Sequence, residues 1–197
     1  PAFCETRCRR GDLDESVAIR QLKRYMIDNL ADRSWQGPAP APTKDKRVAV
    51  IGGGPAGLTA ALRLGLMGYA VTIFEALPVL GGMLTVGIPS YRLPRDIIEA
   101  EIQVIRDMGV EFKTGVEIGR DVTIAQLREQ GYKAFFLSIG AHECKVLGIE
   151  GENLEGVYPG TDFLRRLNLG EKLSLGDRVA VVGGGNVAMD AARTAKR

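Results

Sequence analysis

The 197-residue chain carries 26 Lys+Arg against 24 Asp+Glu, and 45% of it is hydrophobic. That composition excludes a disordered chain and leaves no basic surplus for nucleic acid. Neither a membrane-spanning run of roughly 18 apolar residues nor a signal peptide is legible, and three cysteines fit a reducing cytoplasm better than a disulfide framework.

In chain order, Asp12 to Asp32 reads as one helix: Val17, Leu22, Tyr25, Met26 and Leu30 recur at helical spacing, and Asp12 with Glu15 suggests a capping box. Gly37 to Lys46, rich in proline, reads as an extended linker. Arg47 then opens a βαβ pattern: Val48–Ile51 as a strand, Pro55–Met67 as a helix, Ala70–Phe74 as a second strand. A helix over Pro94–Met108, a strand over Val110–Lys113, a buried strand over Ala134–Leu137 and a short helix over Asp162–Leu167 follow. Arg178–Val182 repeats the first strand and leads into a second glycine run and helix. Strands alternating with helices predict an α/β fold, a Rossmann-like parallel sheet covered on its faces. The helical pattern still running at Arg197, and Pro1 at the start, read as a piece of a longer chain.

Twenty-five glycines, about twice the usual share, cluster in short runs. Gly52, Gly54 and Gly57 form Gly-x-Gly-x-x-Gly between an apolar strand and a helix, and Glu75 closes the next strand. This is the dinucleotide-binding arrangement. Gly52 permits the turn, Gly54 lets backbone approach a pyrophosphate, and Gly57 lets helix pack on strand. Pro55 suits the first helical position, and Ala56 follows it in the turn whose N–H groups face the phosphates. Glu75 accepts hydrogen bonds from a ribose hydroxyl and repels a 2′-phosphate, so this site takes FAD or NAD in preference to NADP. Gly183, Gly184, Gly185, Asn186, Val187 and Ala188 repeat the run with alanine at the third position. They read as a second dinucleotide site or as a repeated structural turn, with NAD and NADP both open.

These runs, the Gly81–Pro94 loop between them and Ser138-Ile-Gly-Ala141 occur in one order. That order resembles the small, NADPH-oxidising subunit of glutamate synthase. It is a family of FAD and iron–sulfur oxidoreductases whose module also forms the N-terminal half of dihydropyrimidine dehydrogenase. The resemblance covers nearly the whole chain and does not choose among members. It implies FAD at the first fingerprint, with Gly54, Pro55, Ala56 and Glu75 on its adenosine and pyrophosphate. Gly82, Met83 and Arg92 line the flavin side, and Gly140 sits where the chain turns over the cofactor. Arg92 also admits a plain surface ion pair.

NADPH is implied at Gly184, Gly185, Asn186 and Val187. Cys4 and Cys8, four apart and so on one face of any helix through them, are implied ligands of 4Fe–4S clusters. Their partners would come from preceding chain, since two thiols cannot complete a four-ligand site. Lys23 stands where the family often has Gln or Glu. The implied domains are an iron–sulfur remnant over 1–34, a linker over 35–46, an FAD domain over 47–176 and the start of an NAD(P) domain over 177–197. The implied function is electron transfer from NAD(P)H through FAD to iron–sulfur clusters and a larger partner subunit. The alternative is a non-catalytic cofactor-binding or scaffold module of a larger redox complex. His142, Cys144 and Tyr91 read as structural. No catalytic acid–base or nucleophile set is visible, which fits chemistry carried by a cofactor.

Overall fold

The structure is a computed structural model that describes residues 2–29 and 40–197. The chain divides into two compact units, Pro1–Ala39 and Pro40–Arg197.

In the first unit, α1 (Phe3–Thr6) leads through a 3-10 turn, Arg9–Asp12, to α2 (Ile19–Asp28). The single helix expected from Asp12 is therefore shorter, and its last residues, Leu30 to Asp32, lie outside the described ones, as do Gly37 to Ala39 of the linker. Asp12 and Glu15 do not cap it. The start is set instead by Glu5, whose Oε1 accepts the Arg20 N–H at 2.9 Å, a long-range substitute for the missing N-cap side chain.

The second unit is built on a parallel sheet of order β3-β2-β1-β4. β1 (Lys44–Ile51) begins inside the stretch read as linker, because Lys44 already pairs with Tyr69 of β2 (Tyr69–Glu75). Between them runs α3 (Pro55–Leu66). Next come α4 (Met83–Val86), α5 (Arg95–Asp107) and β3 (Glu111–Thr114). The chain continues through α6 (Ile124–Glu129), β4 (Tyr132–Leu137), α7 (Gly160–Asn168) and α8 (Asn186–Lys196).

Successive strand residues face opposite sides, and the core divides accordingly. Val50, Val71 and Ile73 pack with Leu58 and Ala61 of α3 and Ile98, Ile102 and Ile105 of α5. Ala49, Phe74 and Tyr132 pack on the other face with Leu127 of α6. A third cluster, Phe163, Leu164 and Ala191, joins α7 to α8.

Two expectations fail in informative ways. β4 is not buried: it is the sheet's edge, and Phe136 and Leu137 are 42% and 64% exposed. Arg178–Val182 forms no strand among the described residues. It finds no ladder there to satisfy its N–H and C=O groups, and Val179, Val181 and Val182 stay exposed. No helix among the described residues is long and apolar enough to cross a membrane.

Candidate dinucleotide sites

The carboxyl ends of β1, β2 and β4 converge on the first glycine run. β1 is flanked by β2, which follows it directly, and by β4, which returns from the other side. That is the switch point where open α/β sheets leave a crevice for ligands. The Gly52 N–H donates to Phe74 O at 2.8 Å, and the Ser138 N–H donates to Ile51 O at 2.8 Å. Ser138 Oγ also reaches the carbonyls of Ile51 and Gly52 at 3.0 and 3.1 Å, so Ser138 staples β4 to the start of the loop.

The three fingerprint glycines are required for different reasons. Gly52 has φ +106°, and a Cβ there would meet Ser138 O at 2.3 Å. At Gly57 a Cβ would lie 1.9 Å from Gly52 O, which is the close packing of helix on strand. At Gly54 the nearest atom is 3.9 Å away. A Cβ at Gly54 would therefore make no more than a van der Waals contact with Gly82, while its φ of −79° and ψ of −175° start α3 with no side-chain cap on the first-turn donors. Uncapped N–H groups beside an uncrowded glycine are what an approaching phosphate needs.

Glu75 is 7% exposed. Its Oε2 accepts the Gly53 N–H at 2.6 Å and its Oε1 accepts the Leu77 N–H at 2.8 Å. Each oxygen keeps lone-pair capacity for a hydroxyl donor, so the carboxylate braces the loop and remains available to a ribose. Against the same loop lies Gly82, in the left-handed region at φ +54°, where a Cβ would come within 2.8 Å of Gly54 Cα. Gly81 N–H donates to Gly53 O at 2.8 Å. Met83 follows as the first residue of α4, and its side chain folds back on Gly87.

The loop that leaves Gly82 is clamped by Arg95. Its guanidinium donates to the carbonyls of Leu84, Ile88 and Leu93 and to Asn168 Oδ1 at 2.7 to 3.2 Å, and Asn168 Nδ2 donates to Val86 O at 2.9 Å. Partial burial pushes Arg95 below its ordinary value. Arg92 is paired within the chain: its Nη1 bonds Asp190 Oδ2 at 2.6 Å, and its side chain stays 42% exposed. Ser138, Arg95, Asn168 and Asp190 hold the site together without appearing among the expected site residues. Ser138 opens the Ser138–Ala141 motif, but nothing local announces a role for Arg95, Asn168 or Asp190.

The second run copies the first. Gly183 has φ +118°, against +106° at Gly52. Gly185 caps α8 at φ −79° and ψ 175°, nearly the values at Gly54, and again without a side-chain cap. Gly184 and Gly185 have open space around a Cβ, and Ala188 Cβ lies 3.6 Å from one built on Gly183, so alanine fits at the third position. Asn186 opens the helix, and Val187 lies against Gly160 of α7. Gly140, at φ +73°, sits beside His142 beyond the end of β4.

A family model described as pyridine nucleotide-disulphide oxidoreductase matches residues 46–197. The chain belongs to that family. It is 50% identical, over 98% of its own length, to the NADP(+)-dependent formate dehydrogenase subunit beta of Moorella thermoacetica, covering 31% of that protein. It is 44% identical to the NADPH-Fe(3+) oxidoreductase subunit beta of Geobacter sulfurreducens over all of this chain and 30% of that one. To the glutamate synthase [NADPH] small chain of Escherichia coli it is 36% identical, over 99% of this chain and 44% of that one. The chain thus spans less than half the length of these relatives. Among solved structures, Mycobacterium tuberculosis FprA in complex with NADPH matches with a TM-score of 0.64 and 30% identity, over 76% of this chain and 36% of that one. The match to the glutamate synthase small chain agrees with the resemblance drawn from the ordered motifs.

Cys4, Cys8 and Cys144 are all free thiols. Cys4 lies in α1, whereas Cys8 follows its end and caps the 3-10 turn, so the two do not share a continuous helical face. Backbone hydrogen bonds from Val17 and then Arg10 hold the Cys8 thiol below its ordinary value. Among the described residues no three His, Cys, Asp or Glu side chains group as metal ligands.

Proposed function

We propose that the protein is an FAD-dependent NAD(P)H oxidoreductase that passes electrons from a nicotinamide dinucleotide to a larger redox partner. The observation that carries this reading is the repeated helix-start geometry at Gly52–Gly57 and Gly183–Ala188, two phosphate cradles in one chain. NADP(+) or NADPH in the names of the relatives, and their designation as beta subunits or small chains, support the choice of donor and of a partner subunit. In this reading residues 47–176 belong to the flavin domain and 177–197 open the nicotinamide domain. Residues 1–34 belong to an iron–sulfur domain, 35–46 link it, and the setting is the cytoplasm.

The residues present fit the flavin dinucleotide. Gly54 leaves room for the pyrophosphate, Ala56 and Gly57 lie in the uncapped first turn, and Glu75 holds an oxygen to the adenosine ribose. Gly82 and Met83 follow on the flavin side. The cofactor, when bound, supplies a hydride acceptor that can release electrons singly. The chain's own residues bind and orient. α8 presents its N-terminus to the second pyrophosphate through Gly184, Gly185, Asn186 and Val187, while the Arg95 clamp holds the intervening loop in one shape. Gly140 keeps the backbone turn beyond β4 compact. Cys4 and Cys8 supply only two thiolates toward a 4Fe–4S cluster, so no step is assigned through one.

The second reading, a cofactor-binding or scaffold module without turnover, is favoured by one observation: the segment leading to Gly183 is unpaired among the described residues. Anaerobic absorption of the full-length protein, with flavin and iron assayed on the same sample, separates the two. Bound FAD bleached by NADPH is the expected result. A protein that binds FAD but is never bleached by NADPH or NADH supports the scaffold, and one that never binds flavin overturns both.

A further inference from the structure

The Arg92–Asp190 pair joins residues 98 positions apart, and its surroundings are unequal. The Asp190 side chain is only 6% exposed, the Arg92 side chain 42%. A carboxylate so deeply placed in α8 is strongly unfavourable without a partner, and its second oxygen, Oδ1, has none. Among the described residues, Arg92 is thus the cation that pairs with this buried group. Tyr91 OH adds a long 3.4 Å bond to the Asp190 carbonyl.

What the pair connects gives it significance. Asp190 is the fifth residue of α8, one turn beyond Asn186 and so one turn from the second glycine run. Arg92 ends a loop whose first residue, Gly82, lies against Gly54 of the first run. The loop between them is held rigid by Arg95 and by Asn168 of α7, and α7 packs on α8. One short segment therefore runs from the first fingerprint to the helix that follows the second, where the ion pair is joined by the Arg197 guanidinium stacked over the Tyr91 ring at 3.9 Å.

We propose that Arg92 and Asp190 are positioning residues that fix the second dinucleotide site against the flavin-side loop, so that donor and acceptor are held at transfer distance. The proposal rests on the reading of the two runs as flavin and nicotinamide sites. It gives Arg92 a role separate from the expected cofactor contact, since one guanidinium nitrogen bonds Asp190. Hydride transfer is steep in distance, and a displacement of about 1 Å costs roughly a hundredfold in rate. Binding through the pyrophosphate cradle depends on α8 itself and not on where α8 sits.

The test is a double-mutant cycle in the full-length protein: Asp190→Asn, Arg92→Gln and the two together, with Arg92→Lys as the conservative change. Stopped-flow bleaching of the bound flavin by NADPH gives a limiting rate and a half-saturating concentration. Hydrogen exchange over residues 83–94 and 186–196 reports the link without any turnover. Each single change is expected to lower the limiting rate by about ten- to a hundredfold and to move half-saturation by less than about threefold. Exchange should quicken in both segments, the double should be no worse than either single, and Arg92→Lys should keep most of the rate. Additive losses, unchanged exchange, or half-saturation rising in step with the fall in rate would overturn the proposal. A wild-type protein without flavin overturns the underlying reading and the positioning role together. It is told apart from failure of the pair because the exchange cycle then still shows the two segments coupled.

Discussion

Gly54 and Gly57 lie three residues apart in one motif, yet the structure gives them opposite sensitivities, and alanine at each separates folding from binding. At Gly57 the new Cβ sits 1.9 Å from Gly52 O and 2.8 Å from Ser138 Oγ. The serine hydroxyl can rotate away, but the carbonyl belongs to the turn that Ser138 and Phe74 both hold. From 1.9 to an ordinary 3.4 Å, helix and strand must part by about 1.5 Å, which places the cost at the upper end of the roughly 1–3 kcal/mol for overpacking. At Gly54 the nearest atom is already at 3.9 Å and φ is −79°. Alanine is unstrained there, and the loss of a good capping residue is roughly offset by the lower conformational entropy of the unfolded chain, leaving stability within about 1 kcal/mol.

The methyl at Gly54 nevertheless fills the space assigned to the pyrophosphate. Urea unfolding of both variants, with FAD titration on the same samples, gives the two numbers. Gly57→Ala should shift the midpoint, and Gly54→Ala should leave it while weakening FAD at least tenfold, about 1.4 kcal/mol. Equal destabilisation by both, or undiminished FAD binding by Gly54→Ala, would refute the assignment of roles.

Two further outcomes follow from particular groups. Arg95→Met keeps the aliphatic packing but orphans the carbonyls of Leu84 and Ile88 and Asn168 Oδ1, a loss of about 1.5–3 kcal/mol in urea unfolding with faster hydrogen exchange over residues 84–93. Cys8, whose folded value is depressed by backbone donors, keeps its thiolate to lower pH than the same residue in denaturant. The pH midpoint of its alkylation, read by mass spectrometry, should lie lower in native protein than in urea, and coincident midpoints would contradict the hydrogen bonds from Val17 and Arg10.

The βαβ unit was legible because its signals are local. An apolar run, a glycine turn and Pro55 at the first helical position each need only their neighbours. Elements set by distant partners were not legible in the same way. α2 starts at Ile19 because Glu5 caps it from another segment, and no capping rule based on nearby residues finds that. Arg178–Val182 has strand composition, but a strand exists only where a ladder receives it. Apolar β4 reads as buried from its residues alone, whereas burial depends on what covers it. α6 is a different lapse: Thr123 and Gln126 form a true capping box, a local signal that was present and passed over. At the site, the glycines and Glu75 announced themselves, while the Arg95 clamp, Ser138 and Asp190 act through contacts across 73 to 98 residues.

The two glycine runs show how far local encoding reaches. The first is anchored in a four-stranded sheet, and the segment before the second pairs with no strand among the described residues. Even so, the turn glycines adopt φ of +106° and +118°, and the helix caps differ by only 10° in ψ. The shape of the cradle therefore belongs to the glycine spacing and the helix start, not to the sheet. The demand for a third glycine belongs to the sheet. Gly57 has no room because β1, held by β2 and β4, presses Gly52 O against α3, whereas alanine is accommodated at 188, where a Cβ built on Gly183 would still lie 3.6 Å from the Ala188 Cβ. On the proposed reading, local sequence shapes two phosphate cradles, and long-range pairing decides how tightly each is built and how the two face each other. On the positioning proposal, the second task is shared by the packing of α7 on α8 and the half-exposed Arg92–Asp190 pair.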